Sequence, residues 1–223
     1  MIDSVGLYND IKSLVIKDGR TGFFSIANFN ALCVEVETLL LTYYCDVLED
    51  KAERAERLSP FTKDVPLSIS NNGYVSFPTN YRRFMDAGYQ SVTNGDDCKP
   101  IIGTEFPLDY AATDEWKSTI NSPIRKPNAL KKVGYYRLIN NRIQVSFNSG
   151  ILNLAYVEHP TFANIKFTYD TVNQEETVTT HTNFMWLPQD RPNLIDLFLV
   201  HFGIAHRESV LIQWAQANKT KAQ

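Results

Sequence analysis

The chain has 223 residues, 43% hydrophobic and 21% charged, with 22 basic and 25 acidic side chains and a formal charge of −3. That supplies a packed core for one domain, or for one domain carrying a large insertion, and excludes extensive disorder away from the ends. The missing basic excess argues against nucleic-acid binding as the main task, because phosphate neutralisation provides most of such affinity.

Three zones follow one another along the chain. In the first, Val5, Tyr8, Ile11, Leu14 and Val15 predict a short amphipathic helix that stops near Asp18-Gly19. After Gly22, Ser25 or Asn28 is positioned to cap a longer helix running to Arg57. Phe29, Leu32, Val36, Leu39, Leu40, Tyr43 and Val47 form its apolar stripe, at the three-and-four spacing of one buried face. A second stripe of Val34, Leu41, Cys45 and Leu48 runs along another side, so this helix must be covered twice, by its own bundle or by a neighbouring subunit. Its end, Glu49 to Arg57, is highly charged, with Asp50/Arg54 and Glu53/Arg57 at i,i+4, and reads as a solvated helix terminus closed by Pro60.

The second zone, about 65–186, reads as β structure. Leu67 and Ile69, Asn71-Asn72-Gly73, then Val75 and Phe77 give a strand–turn–strand pattern with hairpin turn residues. Arg142 to Phe147, Asn148-Ser149-Gly150 and Ile151 to Val157 repeat it, and Asn164 to Tyr169 predicts a further strand. Turn residues such as Asn94-Gly95 and Asn140-Asn141 recur at intervals suited to a small sandwich or barrel. Glu105 to Pro127 is poorly periodic and reads as a long excursion, and the Thr-rich stretch 171–183 as an exposed loop or hairpin tip. The third zone opens with Asp190-Arg191-Pro192, an acidic cap with proline in the first turn, and continues as an amphipathic helix through Leu194, Leu197, Phe198, Ile204 and Leu211. The expected fold is α+β: N- and C-terminal helices (1–62 and 187–217) form a bundle around an inserted β domain (63–186), with a flexible tail at 218–223.

Sites of chemistry are not apparent. The chain has no HExxH, GxSxG, Walker or GxGxxG motif, and Asp18 to Gly22 lacks the Lys-Ser/Thr ending of a phosphate loop. His201 and His206, five residues apart, point to different helix faces. Asp96-Asp97 lacks the distal acidic ligand of a calcium loop. Cys33 and Cys45, on one predicted helix, lie about 18 Å apart and cannot form a disulfide; with Cys98 they read as reduced thiols. No catalytic, cofactor-binding or metal-ligating residue is assigned, and an enzyme is not expected. The N-terminus lacks a signal-peptide pattern and no apolar run spans a bilayer, so a soluble protein is expected. Aromatic residues are abundant (13 Phe, 11 Tyr and 3 Trp), more than a core alone requires, and Tyr and Trp are common contact residues.

Several strings resemble one family. Gly22-Phe23-Phe24-Ser25 with Phe29-Asn30, Leu58-Ser59-Pro60-Phe61, Gly73 to Tyr81, Ser122-Pro123 to Pro127, Arg142 to Val145, Leu154 to Pro160, Trp186-Leu187-Pro188 and Phe202 to Glu208 together resemble the head-to-tail ring (adaptor) proteins of podovirus-like tailed phages, particularly of the crAss-like type. Phe147 and Glu158-His159 depart from that pattern, which often carries proline and an Arg-Lys-like pair there. The resemblance implies a structural virion protein, made in the bacterial cytoplasm. It would assemble as a twelve-copy ring that joins the portal to the tail and lets DNA pass without sequence-specific binding. Expected subunit-contact residues are Val34, Leu41, Tyr44, Tyr81, Phe84, Tyr89 and Trp116; Glu49, Asp50, Glu53 and Glu56 are candidates for the channel lining; Lys219 and Lys221 for portal docking. The alternatives are another neck or tail-tube ring, or a carbohydrate- or host-surface-binding β module with Trp116 or Trp186 as a stacking platform.

Overall fold

The computed structural model describes residues 1–17, 24–47, 51–70, 72–94, 100–171 and 175–201. The chain is α+β and divides into two compact units. One comprises residues 1–61 and 160–223, the other residues 62–159, so the second interrupts the sequence of the first. The sequence-based boundary at 186 falls too late. Residues 160–186 belong with the helices because their strands pack on helices of that unit.

In the helical unit, α1 (Ser4–Lys17) buries Tyr8, Ile11 and Val15 of the predicted stripe and Leu7 in addition, while Val5 and Leu14 are only partly buried. Helix α2 (Ile26–Thr42) starts at Ser25, whose side chain accepts from the Asn28 N–H at 3.1 Å; the Glu176 carboxylate accepts from the Ile26 N–H at 3.2 Å. Two orphan donors of the first turn are thereby satisfied. Of the helix expected to run to Arg57, the described residues are α-helical to Thr42, form a single π-helical turn at Tyr43–Val47 and are α-helical again over α3 (Lys51–Leu58), closed by a 3-10 turn containing Pro60; residues 48–50 lie outside the described residues. Thr38 and Thr42 each bond back to the carbonyl four residues earlier, an arrangement that bends helices, just before the π turn. Helix α5 (Arg191–His201) packs against α1 and α2. The stretch read as an exposed loop or hairpin tip supplies the second arm of a hairpin. Asn164–Asp170 and Glu175–Thr182 form an antiparallel hairpin (β11 and β12, after the ten strands of the other unit), and its polar composition reflects a largely exposed strand.

An aromatic core holds this unit together. Phe29 is fully buried and stacks on Phe198 with ring centroids 5.0 Å apart, while Phe184, Phe24 and Tyr8 meet it edge-on. Trp186 packs on Phe61 at 4.4 Å and on Tyr44 at 5.8 Å. Asn30 and Glu37, seven residues apart on one face of α2, clamp the start of β11. Asn30 donates to the Ile165 carbonyl and accepts from its N–H at 2.8 and 2.9 Å, and Glu37 accepts from the Ala163 N–H at 2.7 Å.

The other unit holds two four-stranded sheets. Their strands in chain order are β1 (Thr62–Ser68), β2 (Tyr74–Ser76), β3 (Tyr81–Gln90), β4 (Val92–Asn94), β5 (Pro100–Ile102), β6 (Phe106–Pro107), β7 (Asp109–Tyr110), β8 (Tyr135–Ile139), β9 (Arg142–Val145) and β10 (Ile151–Glu158). One sheet has the order β1-β10-β3-β6 and the other β2-β9-β8-β7, with β4 and β5 as a separate pair. Alternate residues from both sheets (Ala87, Tyr89, Leu152 and Leu154 with Val75, Ile143 and Val145) form one hydrophobic core. The two expected hairpins are crossings between sheets: β1 pairs with β10 while β2 pairs with β9. Their turns are tight, as their residues demand. Gly73 sits at φ +75°, where a Cβ would meet the Val145 carbonyl at 2.6 Å, and Gly150 at φ +116°. A true two-residue hairpin joins β8 and β9. Asn140 and Asn141, at φ +47° and +57°, carry the left-handed pair a primed turn requires. The expected excursion contains β6, β7 and a short helix α4 (Trp116–Asn121).

Candidate functional site

The seven expected contact residues separate by burial. Leu41, Tyr44, Tyr89 and Trp116 are buried, and the chain's own packing absorbs them. Leu41 faces inward from α2. The π turn directs Tyr44 into the helical core. Tyr89 stacks on Phe147 at 4.1 Å, and Trp116, only 4% exposed, lies under the Arg137 guanidinium, 4.9 Å from the ring centroid. Tyr81 and Phe84 are half-buried at the margin of the β core, stacked on Phe77 and Tyr136. Val34, 47% exposed on α2, remains a surface apolar residue. The second stripe of α2 is therefore apolar for two reasons: Leu41 and Cys45 fill the unit's own interior, and Val34 alone faces outward among its described members. Neither proposed stacking platform is exposed, since Trp186 is fully buried and Trp116 is covered.

Of the candidate channel residues, Glu53 and Glu56 are exposed on α3, whereas Glu49 and Asp50 lie outside the described residues, as do Lys219 and Lys221. The solvated reading of the charged stretch holds for Glu53 and Glu56 and fails for Arg57. That guanidinium turns inward to Asp190 at 2.7 Å, keeping a longer contact of 3.4 Å to Glu53. Fully buried Asp190 also accepts from the Tyr44 hydroxyl at 2.8 Å, which in turn accepts from the Asn193 side chain at 2.9 Å. Burial pushes the Asp190 carboxyl up; the Tyr44 hydroxyl and the Arg57 guanidinium pull against it. This network ties the π turn, α3 and the start of α5 together, and its partners are remote in sequence. The sequence marks Asp190 as a helix cap, Tyr44 as a subunit contact and Arg57 as the partner of Glu53, but nothing in it joins the three.

A second buried carboxylate, Glu37, escaped sequence reasoning because it occupies an apolar helix face. It is fully buried beside Cys33 and Trp186. The Trp186 indole approaches the carboxylate without reaching hydrogen-bond geometry, leaving its Nε1 and Glu37 Oε2 unpaired among the described residues. Burial pushes the Glu37 carboxyl up to about 7, against the lowering effect of the Ala163 N–H and the Trp186 indole. Both carboxylates are fully buried. A cleft of about 420 Å³ does lie between α1 and α5, lined by Leu14, Pro188, Pro192, Ile195 and Leu199, with the Arg191–Asp10 ion pair at its side.

Among the described residues no group of three or more His, Cys, Asp or Glu is placed to hold a metal ion, and no helix is long and apolar enough to cross a membrane. The exposed apolar residues are the clearest surface feature: besides Val34 they include Ile101 and Ile102 on β5, Tyr110, Ile124 and Leu130. No protein-family model matches the chain, and no curated protein matches it.

Proposed function

We propose that this chain is a structural virion protein that forms a ring in the neck of a tailed phage, between portal and tail. The observation that carries the reading is the division of the chain: a helical unit built from both ends of the sequence, interrupted by a β unit at residues 62–159, is the organisation the family resemblance implies. Support also comes from the distribution of apolar surface. Val34 belongs to the helical unit, and Ile101, Ile102, Tyr110, Ile124 and Leu130 to the β unit, so each unit has apolar side chains left for a neighbour. A ring requires two different adhesive surfaces on every copy, since its contacts are heterologous and must close. In this reading Glu53 and Glu56 contribute to an acidic channel wall along which DNA slides. Lysine at both positions should slow DNA ejection from virions; an unchanged ejection rate would remove them from the channel.

The reading is tested by determining the mass of the purified chain, alone and mixed with the portal ring encoded by the same genome. A complex with many copies of this chain per portal is expected, and a chain that stays monomeric in both samples refutes it.

A further inference from the structure

Between Glu115 and Glu158 the sequence carries seven basic residues and no acidic one, although the whole chain is net acidic. Four of the seven, Arg125, Lys126, Lys131 and Lys132, sit in the loop joining α4 to β8, and none pairs with a carboxylate among the described residues. The same loop holds Ile124 and Leu130, 94% and 96% exposed, the most exposed aliphatic side chains of the β unit. Yet this loop has a defined shape. Ser122 Oγ accepts from the Ile124 and Arg125 N–H groups, and Asn128 Oδ1 accepts from that of Lys131. Asn128 and Val133 exchange backbone bonds at 2.8 and 3.0 Å, and Ala129 packs on the core. Cations and bare aliphatic side chains held on a fixed loop are preorganised for contact, and little entropy is lost when they dock.

The same unit carries a surface of opposite character. On the outer face of the β1-β10-β3-β6 sheet, register places Asp64 and Asp86 on either side of Ala155, and Asn153 beside Gly88. Glu105 lies across Gly88, whose missing side chain leaves room for it. Together with Pro107 these residues line a concavity of about 330 Å³ with three exposed carboxylates and a floor of small residues. None of the basic loop's residues lines it, so the two surfaces do not meet within one chain.

We infer that loop 122–133 of one copy docks on the acidic outer sheet face of the next copy, with Arg125, Lys126, Lys131 and Lys132 opposite Asp64, Asp86 and Glu105, and Ile124 and Leu130 covered at the contact. This inference rests on the ring reading and names one of its contacts. Two complementary surfaces at different places on one unit form a heterologous contact, the type that propagates around a ring. The fully exposed aliphatic side chains favour a protein partner over a phosphate backbone, which offers them nothing to cover.

The test uses two full-length variants and the wild-type chain, each with and without the portal ring. One reverses the loop (R125E/K126E/K131E/K132E) and the other reverses the face (D64K/D86K/E105K). Each alone should associate about tenfold or more weakly than wild type at physiological salt. An equimolar mixture should recover assembly with the two chains alternating, because each loop then meets a face of opposite charge. Recovery also shows that both variants fold. Wild-type-like assembly by either variant alone, or no recovery on mixing, overturns the contact. If those variants still form rings, the ring reading survives, whereas a wild-type chain that forms no oligomer under any condition ends both. Duplex DNA is titrated in parallel; binding lost on loop reversal while assembly is intact would assign the loop to DNA and overturn the contact.

Discussion

Glu37 should make the stability of this chain fall as pH rises through neutrality. Its carboxyl is fully buried, and folding raises its titration point from the ordinary 4.5 to about 7. Between those values the folded chain holds a proton there that the unfolded chain has released, so stability decreases as pH increases. The contribution is complete below about pH 4.5 and lost by the time pH has passed 7. At about 1.4 kcal/mol per pH unit the displacement amounts to about 3 kcal/mol. Glu37→Gln isolates it, since the amide oxygen keeps the acceptor for the Ala163 N–H and the side chain cannot ionise. Urea unfolding of both proteins from pH 5 to pH 8 should show curves that converge at the acid end and separate toward pH 8, where the variant is more stable. Parallel curves, with a constant difference at every pH, would refute the burial argument.

Further expectations follow from the same core. Asp190→Ala leaves the Tyr44 hydroxyl and the Arg57 guanidinium without their shared acceptor and should cost about 3 kcal/mol in denaturant unfolding; a loss below about 1 kcal/mol would mean that Arg57 is satisfied elsewhere. Tyr44→Phe keeps the ring and removes the hydroxyl's bonds to Asp190 and Asn193, so about 1–2 kcal/mol is expected, and the double variant with Asp190→Ala should be less than additive. Gly73→Ala meets both a positive φ and the Val145 carbonyl and should destabilise by about 2 kcal/mol or more; a neutral result would show that the turn relaxes. Phe29→Ala empties the centre of the aromatic cluster and should cost about 4 kcal/mol, measured as a lowered unfolding midpoint.

The sequence made local features legible and concealed the long-range ones. The α1 stripe, the Ser25 cap, the Asn140-Asn141 turn and most strands are written in spacing and turn chemistry that act over a few residues. The two false hairpins show the limit. Gly73 and Gly150 mark tight turns correctly, but a turn residue specifies the bend and not the partner strand, and β1 and β2 each pair about 70 residues or more away in sequence. Helix α2 looked two-sided because Leu41 and Cys45 are apolar; both turned out to serve one chain's core, which hydrophobicity alone cannot distinguish from a subunit contact. Glu37 and Arg57 were misjudged or missed for the same reason. A charged residue looks solvated until its remote partners, Ala163 and Asp190, are known. The basic loop was legible as composition but carried no periodicity to draw notice.

The most direct test of the central claim is imaging of the purified chain bound to its portal, with the copies counted from the rotational symmetry. The account predicts a closed ring of this chain, coaxial with the portal and of the same symmetry order or a simple multiple of it, around an open channel. Isolated single copies scattered on the portal, or no bound chain, would contradict it.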